Sequence, residues 1–277
     1  MASTDFSAIA AAFVDARLHA GPLGAFPGKP PRTLAEAYAI QDAAIPLWPG
    51  DVAGWKIGLV QPAQRATFGE ARIAGPIFRE NLRFVESDVI AAAPVFEGGF
   101  AAVEAEFAVL LKADAPPART EWAEEDAAAL VGAAHIAIEI ASSPLASIND
   151  LGPAVTVADF GNNFGLVIGP RIPDWGKRAW RDLSARMSIN EQTVGEGSAA
   201  SLPGGPLAAL AFILSNCAKR GRPLKAGDWI STGATTGVHL INLGETARAD
   251  FGALGSVCVR AERASPRLTS ARSAVVG

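Results

Sequence analysis

The sequence predicts an α+β protein in which a short run of helices precedes a larger body of strands. Two patterns carry that prediction. Apolar residues recur at helical spacing through the first fifty positions, whereas AAVEAEFAVLL (101–111) and HIAIEIA (135–141) alternate with the period of a strand. Composition supplies the third observation. A chain of 277 residues, 49% hydrophobic and 19% charged, is a folded chain able to bury a sizeable core, as one domain or one domain plus a small lobe. The expected division is an N-terminal helical lobe over 1–50, a strand-rich domain over 51–263 and a polar, fraying tail over 264–277.

In the first helix, Phe6, Ile9, Phe13, Val14 and Leu18 share one face after the candidate caps Ser3 and Thr4, and Gly21 closes it. A Pro/Gly-rich loop follows. Thr33-Leu34-Ala35-Glu36 then reads as a capping box opening a second helix, with Gln41 as a buried amide on its apolar seam. GWKIGL (54–59) is a short apolar strand. An isolated lysine on a strand ordinarily faces solvent; the alternative for Lys56 is a partly buried ammonium whose pKa is lowered for proton transfer. Residues 61–84 read as loop with short strand pieces. Thr120 is expected to cap a third helix whose acidic first turns form a solvated face. The chain should then loop back over 142–157, make a hairpin over 183–198 with its return strand around Asn190-Glu191, and enter a helix after Gly205-Pro206 that Gly221 caps.

Several function classes are excluded or disfavoured. The formal net charge is −4 without a basic stripe, so nucleic acid is not an expected partner. No stretch has the length of a membrane span, and the N-terminus lacks the basic flank of a signal peptide. Cys217 and Cys258 suit a reduced compartment, which makes the expected location cytoplasmic. Nucleophile-elbow, phosphate-loop, dinucleotide and Cys/His metal motifs are all missing from the sequence. Of the three histidines, His135 reads as structural, His19 ends a helix, and His239 follows a Thr/Gly loop where it would approach a ligand.

The carboxylates carry the chemistry. Strand parity points Glu104 and Glu106 to the same face, with Cα atoms roughly 6–7 Å apart. Glu139 sits likewise among small alanines on an isoleucine-rich strand. Three like charges facing one cavity would repel and take up protons unless a cation were present. Hard oxygen ligands suit Mg²⁺ or Mn²⁺. Glycoside hydrolysis is rejected, because side-by-side carboxylates on one strand cannot flank a sugar and a third has no task there.

AYAIQ (37–41), WKIGL (55–59), VEAEFAVLL (103–111), AIEI (137–140), AD (158–159) and GDWISTGATTGV (227–238) occur in the order seen in 2-oxopent-4-enoate hydratases of the fumarylacetoacetate hydrolase superfamily, which the chain resembles from about Ala37 to Gly255. The resemblance implies a mixed β-roll or sandwich with flanking helices, usually assembled as a homo-oligomer. It implies Mg²⁺ or Mn²⁺ on Glu104, Glu106 and Glu139, with Lys56 beside the substrate as the catalytic proton carrier. Thr232, Gly233 and Asp159 become substrate-binding positions, the first two for the carboxylate end.

The implied substrate is a small anionic 2-oxo acid of aromatic meta-cleavage catabolism. It chelates the cation through its carboxylate and C2 oxygen, and water adds after ketonisation. One stretch departs from the family pattern: Glu70-Ala71-Arg72-Ile73-Ala74 stands where an acidic residue and a proline are usual. Arg72 is accordingly a candidate partner for the second carboxylate of a dioate. The competing expectations are 2-oxo-3-enedioate decarboxylation, carbon–carbon bond hydrolysis, and a binding protein on an inactive scaffold.

Overall fold

The computed structural model describes residues 6–267. In chain order the elements are α1 (Phe6–Leu18), α2 (Leu34–Ala44), β1 (Val52–Leu59), α3 (Pro62–Phe68), β2 (Arg72–Phe78), β3 (Leu82–Phe84), β4 (Ile90–Val95), β5 (Phe100–Leu111), α4 (Glu124–Ala129), β6 (Val131–Ser143), α5 (Pro153–Ala158), β7 (Asn163–Arg171), β8 (Ser184–Ile189), β9 (Gln192–Ser198), α6 (Gly205–Lys219), β10 (Trp229–Ser231), β11 (His239–Leu240), β12 (Thr246–Asp250) and β13 (Ser256–Arg263). The architecture is α+β. An eight-stranded mixed sheet runs β2-β1-β10-β5-β6-β7-β3 with β11 paired to β5, and a five-stranded sheet runs β4-β13-β12-β8-β9.

The long strands β5 and β6 form the spine of the larger sheet. They pair antiparallel over almost their whole length, in a register that sets Glu104 directly opposite Glu139 and Phe107 opposite Ile136. Val103, Phe107, Val109, Ile136, Ile138 and Ile140 are fully buried in one apolar cluster. That cluster also takes in Ile9, Phe13 and Val14 from α1 and Ile40 and Ala44 from α2, so the N-terminal helices share the core of the strands.

The N-terminal helices follow the sequence closely. Thr33 Oγ1 accepts from the Glu36 amide at 3.2 Å, while the Glu36 carboxylate reaches one residue further back, to the Arg32 amide at 2.7 Å. The proposed caps Ser3 and Thr4 lie outside the described residues. Gln41 is buried and fully used: its amide nitrogen donates to Ala74 O and Val157 O, and its oxygen accepts from Arg220.

Other expectations need correction. Residues 61–84 hold a helix, α3, and a full strand, β2. The helix buries none of its residues, so no apolar period marks it. In β2, Gly75-Pro76 imitates a turn, yet Gly75 is there because a side chain would collide: a Cβ at this position would stand 2.1 Å from Phe160 O. The third helix starts at Glu124 with Ala123 at its N-cap and no side-chain cap, so Thr120 has no capping role. Residues 142–157 hold the end of β6 and the start of α5. Asn190 and Glu191 form the hairpin turn at φ 48° and 68°, and the return strand begins only at Gln192.

The tail is ordered further than its polarity suggests. Ala264 is buried, the Arg267 amide donates to Leu18 O at 2.7 Å, and the Arg267 guanidinium pairs with Glu80 over the Trp48 ring. The rest of that tail, 268–277, lies outside the described residues.

Candidate metal and substrate site

The β5–β6 register brings the three glutamates together. Glu104, Glu106 and Glu139 are all buried, and one carboxylate oxygen from each lies within 4.8 Å of the others. Adjacent ligands of a hard cation at about 2.1 Å lie about 3 Å apart, so small side-chain adjustments would bring these oxygens into one shell.

Two of the three carboxylates, those of Glu106 and Glu139, are held from behind. Glu106 Oε2 accepts from the Ser231 hydroxyl and, at 2.9 Å, from the Gly233 amide. Glu139 Oε1 accepts from Asn163 Nδ2 at 3.1 Å and faces the Lys56 ammonium at 3.0 Å. The opposite oxygens, Glu106 Oε1 and Glu139 Oε2, are buried and have no hydrogen-bond partner. Buried carboxylate oxygens without donors are costly unless a cation serves them. The donor set therefore fits a divalent ion with oxygen preference.

The electrostatics agree. Burial raises the Glu104 carboxyl to about 7, with Lys56 pulling it down and Glu139 pushing it up. Burial, Glu139 and Glu104 raise Glu106 well above the usual carboxyl range. Lys56 is neither a solvent-facing lysine nor one with a lowered pKa. It is buried, and although desolvation works against its charge, Glu139, Glu104 and Glu106 together raise its pKa above the ordinary lysine value. Without a metal, this ammonium is the cluster's counter-ion.

A cavity of about 310 Å³ opens beside the cluster, and Lys56 and Glu104 line it. Its remaining wall is apolar at Leu59, Ile73 and Val238, and neutral polar at Gln61, Gln64, Asn149 and Asn162.

A left-handed turn forms part of that wall. Phe160, Gly161 and Asn162 follow one another at φ 53°, 66° and 64°, a conformation that costs of order 1 kcal/mol for each residue bearing a Cβ. The surroundings over-determine it. A Cβ on Gly161 would stand 2.8 Å from Gly75 Cα and 3.3 Å from Lys56 Cδ, so the turn rests on β2 and on the lysine stem.

Its near end is tied to α1. Arg17 Nη2 donates to Asp159 Oδ2 at 2.9 Å, Arg17 Nη1 to Asn163 O at 3.0 Å, and the guanidinium lies over the rings of Phe96, Phe160 and Phe164. Ser143 Oγ donates to the same Asp159 oxygen at 2.6 Å.

The substrate-binding expectations fare unevenly. Asp159 is fully buried against Arg17 and Ser143, behind the cavity wall. Thr232 Oγ1 donates to Phe107 O at 2.7 Å, and the Gly233 amide is taken by Glu106, so neither donor is free for a carboxylate. Arg72 lies on the other face of β2 from Ile73 and donates to Pro203 O, away from the cavity lining. His239 bonds within its own loop to Thr236 at 3.1 Å, and His135 bonds Gly169 O at 2.9 Å.

Sequence reading missed Ser231, Asn162, Asn163 and Arg17. The two asparagines stood in plain view within GNNFG. Arg17 gave no signal beyond a charged residue on the buried side of a helix, because its partner lies 142 residues away.

Comparison with known proteins identifies the family and the fold. The family model described as fumarylacetoacetate (FAA) hydrolase C-terminal matches residues 84–262. The chain is similar to 2-keto-4-pentenoate hydratase 2 of Dechloromonas aromatica (strain RCB), 27% identical over 227 residues, 80% of this chain and 83% of that one. It is similar to 4-oxalocrotonate decarboxylase of Pseudomonas putida, 27% identical over 242 residues, 83% and 86% of the two chains. Among solved structures, 4-oxalocrotonate decarboxylase from Pseudomonas putida G7, complexed with magnesium and adipate, superposes with a TM-score of 0.75 at 24% identity, covering 92% of this chain and 97% of that one. Among the described residues no helix is long and apolar enough to cross a membrane.

Proposed function

The chain belongs to the fumarylacetoacetate (FAA) hydrolase C-terminal family, and from that premise we propose that it is a divalent-metal-dependent hydro-lyase that hydrates 2-hydroxypenta-2,4-dienoate, the enol of 2-oxopent-4-enoate. The observation that carries this reading is the pair of buried, unpartnered oxygens on Glu106 and Glu139, clustered with Glu104, which lines the cavity. The hydratase similarity supports the choice of substrate.

In this reading Glu104, Glu106 and Glu139 hold Mg²⁺ or Mn²⁺. When bound, the cation stabilises negative charge developing on the substrate's C2 oxygen. The chain's own residues do the rest. Ser231, the Gly233 amide and Asn163 fix the carboxylate planes of Glu106 and Glu139, so little reorganisation of those two accompanies charge development. Lys56 holds a proton at Nζ on the cavity wall and acts first as a donor to the dienol carbon that becomes tetrahedral. That protonation at C5, with the C2 hydroxyl proton passing back to Lys56 Nζ, leaves C3=C4 conjugated to the C2 carbonyl, and water then adds its oxygen at C4 and a proton at C3. The apolar wall at Leu59, Ile73 and Val238 accommodates the short hydrocarbon end and limits stray water.

Decarboxylation of a 2-oxo-3-enedioate passes through the same enolate, and the similarity to 4-oxalocrotonate decarboxylase supports it as the second reading. The lining counts against it: Lys56 is the sole cationic side chain there, which leaves a distal carboxylate without a charged partner. Purified protein with Mg²⁺ is to be given 2-hydroxypenta-2,4-dienoate and a 2-oxohexenedioate separately. Formation of 4-hydroxy-2-oxopentanoate from the first upholds the proposal, CO₂ from the second alone replaces it with decarboxylation, and turnover of neither removes both.

A further inference from the structure

We propose that Asn162 anchors the carboxylate of the substrate through its side-chain amide; this rests on the 2-oxo acid reading and adds a neutral side-chain donor to it. A buried carboxylate needs N–H or O–H donors besides a cation. The Thr232–Gly233 segment cannot give them, because its hydroxyl and amide are committed to Phe107 O and Glu106. Thr156 is also committed, donating to Gly152 O at 3.3 Å. Lys56 already faces Glu139. The side-chain donors left on the cavity wall are the amides of Gln61, Gln64, Asn149 and Asn162.

Of these four, Asn162 alone is buried, at 4% exposure. Its Oδ1 has no hydrogen-bond partner, and no protein group bonds its side chain. A buried carboxamide oxygen without a partner is unfavourable in the free protein and points to a ligand that completes the group. Rotation about χ2 presents Nδ2 to an anionic oxygen, since the two orientations of an amide differ little intrinsically.

Position supports the assignment. The left-handed turn sets Gly161 beside the Lys56 stem, Asn162 after it lines the same cavity as Lys56, and the next residue, Asn163, donates to the metal-site carboxylate Glu139. Adjacent asparagines thus serve the two ends of one site: Asn163 fixes a metal ligand, and Asn162 meets what the metal would bind. Asparagine is also among the non-glycine residues that best tolerate positive φ.

Two variants separate the amide from the turn. Asn162→Gly deletes the carboxamide and keeps the backbone conformation. Asn162→Asp keeps size and shape but puts a carboxylate where the donor stood. The readouts are pyruvate affinity at saturating Mg²⁺ by calorimetry, Mg²⁺ affinity without pyruvate for the wild type and the glycine variant, and Tm for all three proteins. Pyruvate, a short 2-oxo acid, is expected to bind about 10-fold more weakly to Asn162→Gly. Asn162→Asp is expected to bind it more weakly still, while the glycine variant keeps the wild-type Mg²⁺ affinity within threefold. Pyruvate affinity within twofold of wild type in the glycine variant, or tighter binding by the aspartate variant than by the glycine one, overturns the assignment. Failure of Mg²⁺-loaded wild type to bind pyruvate instead overturns the 2-oxo acid reading itself.

Discussion

Lys56 Nζ lies 3.0 Å from Glu139 Oε1 with both side chains buried. A lysine from β1 thereby neutralises part of a charge cluster built on β5 and β6, in the place where a metal ion would do so more completely. The pairing partly offsets the cluster's charge in the metal-free protein, and it sets ammonium and cation in competition for the same carboxylate cluster.

That competition can be measured. Lys56→Met leaves the carboxylates without a counter-ion, and breaking a buried pair by removing one partner costs about 3–5 kcal/mol. The metal-free variant should melt below wild type, whereas the gain in Tm on adding Mg²⁺ should exceed that of wild type. Thermal denaturation with and without Mg²⁺ gives both numbers; equal gains would show that Lys56 does not share the cation's place.

Metal affinity should depend on pH. Glu104 is raised to about 7, with burial as the main cause, so below that pH the metal-free site retains a proton that a divalent ion must displace. Mg²⁺ affinity is expected to fall as pH drops from 8 to 6, with protons released on binding. Calorimetry in buffers of different ionisation enthalpy reads the proton count, and a flat affinity across that range would contradict the shift. The same shift bears on stability. Between the ordinary carboxyl range and pH 7 the folded metal-free protein holds more protons at Glu104 than the unfolded chain does. This group's contribution therefore declines as pH rises through that window.

Arg17 ties α1 to the wall of the site. Arg17→Met strands Asp159 in the core, and the expected loss is about 3–5 kcal/mol of stability by urea unfolding. Because Arg17 also holds the Asn163 carbonyl, Mg²⁺ affinity should fall with it. Asp159→Asn, which keeps an acceptor for the guanidinium, should lose less of both.

Gly75 is required by close approach. Gly75→Ala would drive a methyl into Phe160 O and shift the left-handed turn; overpacking of this kind costs about 1–3 kcal/mol. Substrate affinity should fall beyond what the change in Tm alone would produce, since Asn162 moves with the turn.

Arg72→Ala is expected to leave the ratio of activities toward monocarboxylic and dicarboxylic substrates unchanged, because the side chain points away from the cavity. A selective loss with a dioate would show that Arg72 swings inward when substrate binds.

Much of the site was legible because it lies on regular strands. Parity alone put Glu104 and Glu106 on one face, and alanine neighbours marked the space beside them and Glu139. Local sequence could not show α3, which buries nothing, or the true partners of Thr232, Gly233 and Arg72, which depend on which strand or loop arrives opposite.

By itself, then, the sequence determined an α+β chain and three acidic side chains suited to a hard cation, since period-two patterning fixes a side chain's face whatever its surroundings. Tertiary structure decided which carboxylate oxygens are left free, that Lys56 is a buried counter-ion, and that Asn162 lines the cavity while Asp159 does not. Those outcomes turn on contacts such as Arg17 with Asp159, between residues far apart in the chain, and no local pattern encodes which of two neighbouring polar groups will be claimed by the core.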